Sequence, residues 1–257
     1  MQIKWCGTAS LFLKEGETVI LVDPYLKPFA KGLPPFPIEE GAIARAALIT
    51  HPHFDHFDVE DLVKRGLKSV YVSKNGIRNV QACGMDVSRF YPIAPNSRIK
   101  IGEARVRVLQ SRHCKIDVWT ALRSAFRVFS WLRVKRMGAL LREAASLRVA
   151  GDVYAFEVRM HEKKALILGS AGLDAFTDYP TDIDLLVLPM QGRMNMKKCV
   201  FPIIARLQPK AVLFDHFDDA FPPFSRSVNV KNFRPILERK FPNIKTVIPV
   251  ENEWIAV

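Results

Sequence analysis

The chain has little of what several large classes of protein require. Its four cysteines, Cys6, Cys83, Cys114 and Cys199, form no CxxC pair, so neither a disulfide framework nor a structural zinc ribbon is expected, and the thiols read as reduced and mostly buried. No apolar run reaches the roughly 18 residues that cross a bilayer. The opening MQIKWCGTASLFL has one lysine before a Gly-Thr break and then reads as strand, not as a signal peptide; the expected location is the cytoplasm. No motif repeats along the chain. Histidine is scarce as well, six in 257 residues, yet three of them fall in the single stretch THPHFDHFD, Thr50 to Asp58.

What is present fits a globular protein. Hydrophobic residues make up 49% and charged residues 25%, and 257 residues suffice to bury a real core as one large domain or two small ones. The net charge of +12 and pI near 9.7 favour anionic partners: nucleic acid, acidic lipid or phosphorylated small molecules. The excess is uneven. Between Val118 and Ala150 stand Arg123, Arg127, Arg133, Lys135, Arg136, Arg142 and Arg148 against one acid, Glu143.

Short β-type runs dominate: QIKW, SLFL and TVILVD, then AALIT, KSVYVS, RIKIG and ARVRVLQSRH, a hairpin of VYAFEVRM and ALILGS around HEKK, and later DLLVLP, KAVLFDH, TVIPV and EWIAV. A rigid proline-rich loop, PYLKPFAKGLPPFP, interrupts the first group. Helices are expected after Asp58, which stands at an N-cap position, from Met194 to Leu207, and from Val230 to Arg239. This order predicts an α/β sandwich of two sheets with helices outside, in one domain spanning 1–257. Residues 118–149 contain no proline and read as one or two helices, with Gly138 a break: a basic, apolar helical insertion between two strands. Its arginines interleaved with Trp119, Phe126, Phe129 and Trp131 suit a lid or substrate wall, a peripheral contact with an anionic membrane, or a homo-oligomer interface. The stretch is too apolar for a purely electrostatic nucleic-acid footprint.

Four polar residues each follow a β-like apolar run: His51 after AALIT, His113 after VRVLQSR, Ser170 after ALILG, and His216 after KAVLFD. Ligands gather outside strand ends, where the backbone is fixed and side chains converge. Five of the six histidines, all but His161, thereby fall into one expected pocket. Neutral imidazole is the commonest ligand of borderline metals, and carboxylates complete such shells. Asp23, in VDPY, suits either a turn or the orientation of a ligand histidine. Asp215 reads as structural, since neighbours on a strand face opposite ways.

THPHFDHFD resembles the HxHxDH signature of the metallo-β-lactamase fold hydrolases, and IKWCGTASLFL, VILVDPYL and DLLVLPM resemble further segments of the branch that includes ascorbate-6-phosphate lactonases and N-acyl phosphatidylethanolamine-type phospholipases D. The likeness runs over nearly the whole chain. It implies a four-layered αββα sandwich of two mixed β-sheets with outer helices. It also implies that His51, His53 and His113 hold one metal ion and Asp55, His56 and His216 a second, with Zn²⁺ expected and Mn²⁺ the alternative. One departure is plain. Where the family has a bridging aspartate, LGSAGL places Ser170, a poor ligand for a divalent ion; Asp174 replaces it only if its loop turns back, so the site holds one ion or two. The resemblance implies a hydrolase in which metal-activated water, oriented by Asp55, attacks an anionic small molecule or lipid, a phosphodiester first and a lactone or ester next. The competing readings are a catalytically reduced metal-binding or partner-binding module that keeps the fold, and redox chemistry at a single iron beside Cys114.

Overall fold

A computed structural model describes residues 1–26, 35–115, 122, 152–220 and 226–257. The 118–149 insertion, apart from Leu122, therefore lies outside the described residues, as do 27–34 of the proline-rich loop. Among the described residues, fourteen strands form two sheets of seven. The first contains β1 (Gln2–Trp5), β2 (Leu11–Glu15), β3 (Thr18–Val22), β4 (Ala46–Leu48), β5 (Val70–Ser73), β6 (Phe90–Ile93) and the C-terminal β14 (Trp254–Ala256) in the order β14-β1-β2-β3-β4-β5-β6. The second runs β13-β12-β11-β10-β9-β8-β7, from β7 (Arg98–Ile101), β8 (Ala104–Ser111), β9 (Val153–Met160), β10 (Lys163–Leu168), β11 (Leu185–Pro189), β12 (Ala211–Asp215) and β13 (Lys245–Val247).

The central strands exist because they are buried on both faces, so apolar residues run on with a two-residue alternation between two cores. Leu11 and Leu13 of β2, Ile20 and Val22 of β3, and Leu185 and Val187 of β11 point into the core between the sheets. Phe12, Leu21 and Ile49 point instead to a layer that includes Leu62 and Val80, contributed by α2 (Glu60–Lys64) and α3 (Lys74–Ala82); α1 (Ile38–Ala42) packs on the same side, its Gly41 close against Leu62. Leu186, Leu188 and Phe214 point to the opposite outer layer, formed by α4 (Lys197–Leu207) and α5 (Val230–Lys240). The arrangement is the expected αββα sandwich of two mixed sheets.

Two features differ from the sequence reading. The helix after the histidine-rich loop begins at Glu60 with Val59 at its N-cap position and no side-chain cap; Asp58 does not cap it, and its N–H donates to the Pro24 carbonyl at 3.2 Å. The helices α1 and α3 and strand β6 are additional to the expected set. Although no motif repeats, the pairings do. From β1 to β6 two antiparallel pairings are followed by three parallel ones, and β8 to β13 repeats that order.

Candidate metal centre

His51, His113, Ser170 and His216 each stand just beyond a strand end, His53, Asp55 and His56 follow on the loop after His51, and the two sheets bring those ends together. β4 leads through Ile49 and Thr50 to His51, β8 leads to His113, β10 to Ser170 and β12 to His216. Cross-sheet contacts fix the approach. The Tyr154 N–H donates to the Thr50 carbonyl at 2.9 Å, and the His216 N–H donates to the Thr8 carbonyl at 2.8 Å. Gly169 lies so close to Thr50 that a Cβ there would sit 2.3 Å from the threonine hydroxyl. Trp5 stacks on Phe217 at 4.5 Å, locking the β1–β2 turn to the chain that follows β12.

The five imidazoles form one cluster. Ring centroids lie 4.0 Å apart for His51 and His56, 4.4 Å for His51 and His53, 5.2 Å for His53 and His113, and 5.4 Å for His56 and His216. Two groups of ligand-type atoms emerge, His51 with His53 and His113, and Asp55 with His56 and His216; within each group the atoms lie within 4.8 Å of one another. These are the two triads of the sequence reading.

Hydrogen bonds decide which nitrogens carry lone pairs. Asp23, 1% exposed, accepts from the Thr50 N–H at 2.7 Å, from the Thr50 hydroxyl at 2.5 Å and from His56 Nδ1 at 2.7 Å. His56 therefore turns Nε2 toward the cluster. The Thr50 hydroxyl has a single proton, already given to Asp23. His51 Nδ1, 3.0 Å away, must then donate to that hydroxyl, and its Nε2 keeps the lone pair. His113 Nδ1 donates to the Cys114 carbonyl at 3.1 Å, with the same consequence. One buried carboxylate thus orients two imidazoles, one directly and one through a hydroxyl. Asp23 is a positioning residue, as well as a turn residue held at φ 45°.

The charges suit cation binding. Burial and the neighbouring imidazoles hold His51 well below its ordinary pKa, burial lowers His113, and burial lowers His53 to about 4 against the pull of Asp55. All three are neutral near pH 7 and need shed no proton to act as ligands. Burial opposes ionisation of Asp55, but His56 and His216 overcome it and hold the carboxyl well below the usual range. His216, 3.2 Å from Asp55, is raised to about 9 despite its burial. His51 Nε2, Asp55 Oδ1 and His216 Nδ1 are buried with no hydrogen-bond partner. Leaving such atoms unmade costs about 1–3 kcal/mol each. The neutral imidazoles of His51, His53 and His113 beside the ionised Asp55 are the donor set of a borderline divalent cation, and these residues fit one; His216 would join them only on releasing a proton.

Ser170 and Asp174 lie apart from this role. The Ser170 hydroxyl accepts from the Cys114 N–H at 2.9 Å, fixing the backbone beside His113. Asp174 does not turn back: it is paired with Arg112 at 2.9 Å and accepts from the Phe176 N–H and Thr177 hydroxyl. Cys114 is buried, with its Sγ 3.6 Å from that of Cys199. Sequence reasoning gave no role to Thr50, Thr8 or Asp218. Asp218 accepts from the Thr8 N–H at 2.8 Å across 210 residues, a contact with no local signal; the threonine immediately before the first histidine was the only legible hint of the other.

Comparisons with known proteins agree with this fold. The family model described as "Beta-lactamase superfamily domain" matches residues 2–214. A UPF0173 protein of Pyrococcus furiosus is 27% identical over 122 residues, covering 44% of this chain and 50% of that protein. A UPF0173 metal-dependent hydrolase of Pyrobaculum islandicum is 27% identical over 117 residues, covering 44% of this chain and 51% of that protein. The chain thus spans about half the length of the curated relatives it matches. The structure of the metallo-beta-lactamase fold protein YhfI from Bacillus subtilis superposes with a TM-score of 0.64 at 16% identity, covering 99% of this chain and 98% of that one.

Proposed function

The chain belongs to the Beta-lactamase superfamily domain family, and from that premise we propose that it is a metal-dependent hydrolase acting on an anionic small molecule or lipid, a phosphodiester ahead of a lactone or ester. The observation that carries the reading is the convergence of two triads of ligand atoms, His51, His53 and His113 beside Asp55, His56 and His216, each within 4.8 Å. A relative named as a metal-dependent hydrolase, from Pyrobaculum islandicum, supports the same class. The net charge of +12 supports an anionic substrate.

A divalent ion held by these residues supplies Lewis acidity and a lowered pKa for water; Zn²⁺ suits the nitrogen-rich set, and Mn²⁺ is the second choice. The protein's share is positional. Asp23 and Thr50 aim His56 and His51. Asp55 is the acceptor that orients a water, because its Oδ1 is buried with no hydrogen-bond partner while Oδ2 is held by His216. Ser170 contributes no charge, its hydroxyl accepting the Cys114 N–H, which favours a single firmly held ion in the His51, His53 and His113 triad. The same serine supports the second reading, a metal-binding module with reduced catalysis.

Protein purified without chelators is assayed for bound metal and for turnover of bis(p-nitrophenyl) phosphate, a lactone and a thioester, alongside His51→Ala and Ser170→Asp. We expect bound Zn²⁺ that His51→Ala loses, metal-dependent turnover of the phosphodiester, and higher occupancy of the second triad in Ser170→Asp. Metal without turnover of any of the three would favour the binding module. Equal, full two-ion occupancy in wild type and Ser170→Asp would end the single-ion argument.

A further inference from the structure

A second feature lies on the outer face of the second sheet, away from the histidines. Ile99, Ile101, Val106, Val108, Phe156 and Val158 face the core between the sheets. By strand alternation Arg98, Lys100, Arg105, Arg107, Glu157 and Arg159 stand on the other face. Over β10 to β13 that face is covered by α4 and α5. Leu109 of β8 and Ala155 of β9 are also buried in the helix-side layer, but among the described residues the face is open over β7, the start of β8 and the end of β9. There the strands and the loop 178–182 enclose a cavity of about 720 Å³, within the size range of small-molecule sites, roughly 300–1,000 Å³.

The charge pattern runs against stability. Arg105 is directly opposite Lys100 on one side and Arg159 on the other, and Arg98 is opposite Arg107. Like charges facing each other on one sheet face repel. A single buried carboxylate is shared among them: Glu157 accepts from Arg107 Nε and from Arg159 Nε, each at 2.7 Å. Arg159 Nη2 also reaches Glu157 at 2.7 Å and Arg107 Nη2 donates to the Asp178 carbonyl at 3.4 Å, so both guanidiniums are held in place beside the cleft floor. Asp182 on the rim is paired with the buried Lys164. Tyr179 and Pro180 supply an apolar wall. A concave floor of preorganised guanidiniums, with more cations than carboxylates and cross-strand repulsion left standing, is what a planar or tetrahedral oxyanion with several charges requires.

We propose that this cleft is a binding site for a small phosphate ester bearing more than one negative charge, separate from the metal centre. Arg105 and Ser111, at the two ends of β8, are six residues apart, about 20 Å along an extended strand. A small molecule held at Arg105 therefore does not reach His113. The site is an anchoring or effector position, and phosphate esters reach it either as free metabolites or as lipid headgroups.

The test uses the metal-loaded full chain, calorimetric titration with fructose 1,6-bisphosphate, fructose as the uncharged control, and co-sedimentation with phosphatidic acid vesicles. The variants are Lys100→Gln/Arg105→Gln in the cleft and His113→Ala in the metal centre. The expected result is binding of the bisphosphate or of the vesicles, and not of fructose. That binding weakens at least tenfold in the cleft variant, persists in His113→Ala, and falls with added salt. Whichever of the two binds identifies the source of the phosphate ester. Binding of neither, binding unchanged in the cleft variant, or binding abolished by His113→Ala would overturn the proposal. The cleft variant should melt no lower than wild type without ligand, because it removes repulsion; Arg98→Gln, at the opposite edge of the floor, serves as an independent check and should weaken binding in the same direction.

Discussion

Asp23→Asn is the sharpest probe of how the centre is built. The substitution keeps the shape of the side chain and removes its charge. Thr50 N–H can still donate to the remaining amide oxygen. The amide NH₂, however, takes the place of Oδ2, where the Thr50 hydroxyl and His56 Nδ1 both donate at 2.5 Å and 2.7 Å. Two charge-assisted bonds at about 1.5–3 kcal/mol each are lost. Part returns if the hydroxyl rotates and His56 changes tautomer, leaving a net loss of about 2–4 kcal/mol. In a chain of this size that corresponds to a melting temperature lower by about 5–15 °C. The tautomer change is the functional cost. With Nδ1 now an acceptor, His56 carries its proton on Nε2 and presents no lone pair to the cluster, and the released hydroxyl no longer dictates the tautomer of His51. Outer partners of this kind are worth about 10–100-fold in metal affinity. Urea unfolding of chelated and metal-saturated protein, with a competition titration against a chromophoric chelator, reads both effects. Affinity within about twofold of wild type and stability within about 0.5 kcal/mol would refute the reasoning, because two buried bonds to a carboxylate cannot vanish without either cost.

Three further outcomes follow from the same contacts. The stability of the metal-free protein should peak near pH 6.5. His53, at about 4 when folded, leaves the unfolded chain to bind the proton first, so stability falls between pH 6.5 and 4, by about 2 kcal/mol after discounting for its part-exposed ring. His216, at about 9 when folded, contributes stability that is lost as pH rises from 6.5 to 9; a flat denaturation profile across both windows would contradict these assignments. Gly169→Ala places a methyl 2.3 Å from the Thr50 hydroxyl, so metal affinity should fall with the Asp23–Thr50–His51 chain, by about tenfold or more in the same chelator competition. Phe156→Ala removes a fully buried ring from the core between the sheets and should cost about 3–5 kcal/mol in urea unfolding with little change in metal affinity once the protein is saturated.

The centre was legible because its chemistry is unusual and its setting is regular. Residues such as His51 and His216 follow apolar runs whose strand character is unambiguous, since both faces of β4 and β12 are buried. The elements that escaped the reading do so for local physical reasons. In α3 the helix carries Gly76 in its first turn, an apparent breaker. The glycine is required because a Cβ there would stand 2.1 Å from Val72 Cγ2, and Ser73, read as the end of a strand, caps the helix by accepting from the Gly76 N–H at 3.1 Å. In α1 Gly41 plays a similar part, with Leu62 and Phe36 each 2.8 Å from where a Cβ would stand. The roles of Thr8 and Asp218 depend on a meeting of chain segments that neither segment announces.

The repeated order of strand pairings bears on Ser170. In each half one strand marks the change from antiparallel to parallel neighbours: β3, between β2 and β4, and β10, between β9 and β11. Asp23 follows the first and Ser170 the second. Both accept a backbone N–H from the segment that carries a histidine, Thr50 in one half and Cys114 in the other. The aspartate goes further, because its second oxygen also receives the Thr50 hydroxyl and the His56 imidazole. A serine oxygen of the same reach can perform only the backbone part. The first half therefore fixes its imidazoles through side chains and a buried charge, whereas at the matching position the second fixes the backbone beside His113 through an uncharged serine. Of the carboxylates, Asp55 alone stands in the triads, while Asp23 faces them from behind, so Ser170 keeps the backbone contact that Asp23 makes and adds no charge. Two adjacent dications would repel across that gap with one carboxylate between them, which is the physical ground for the single ion proposed above.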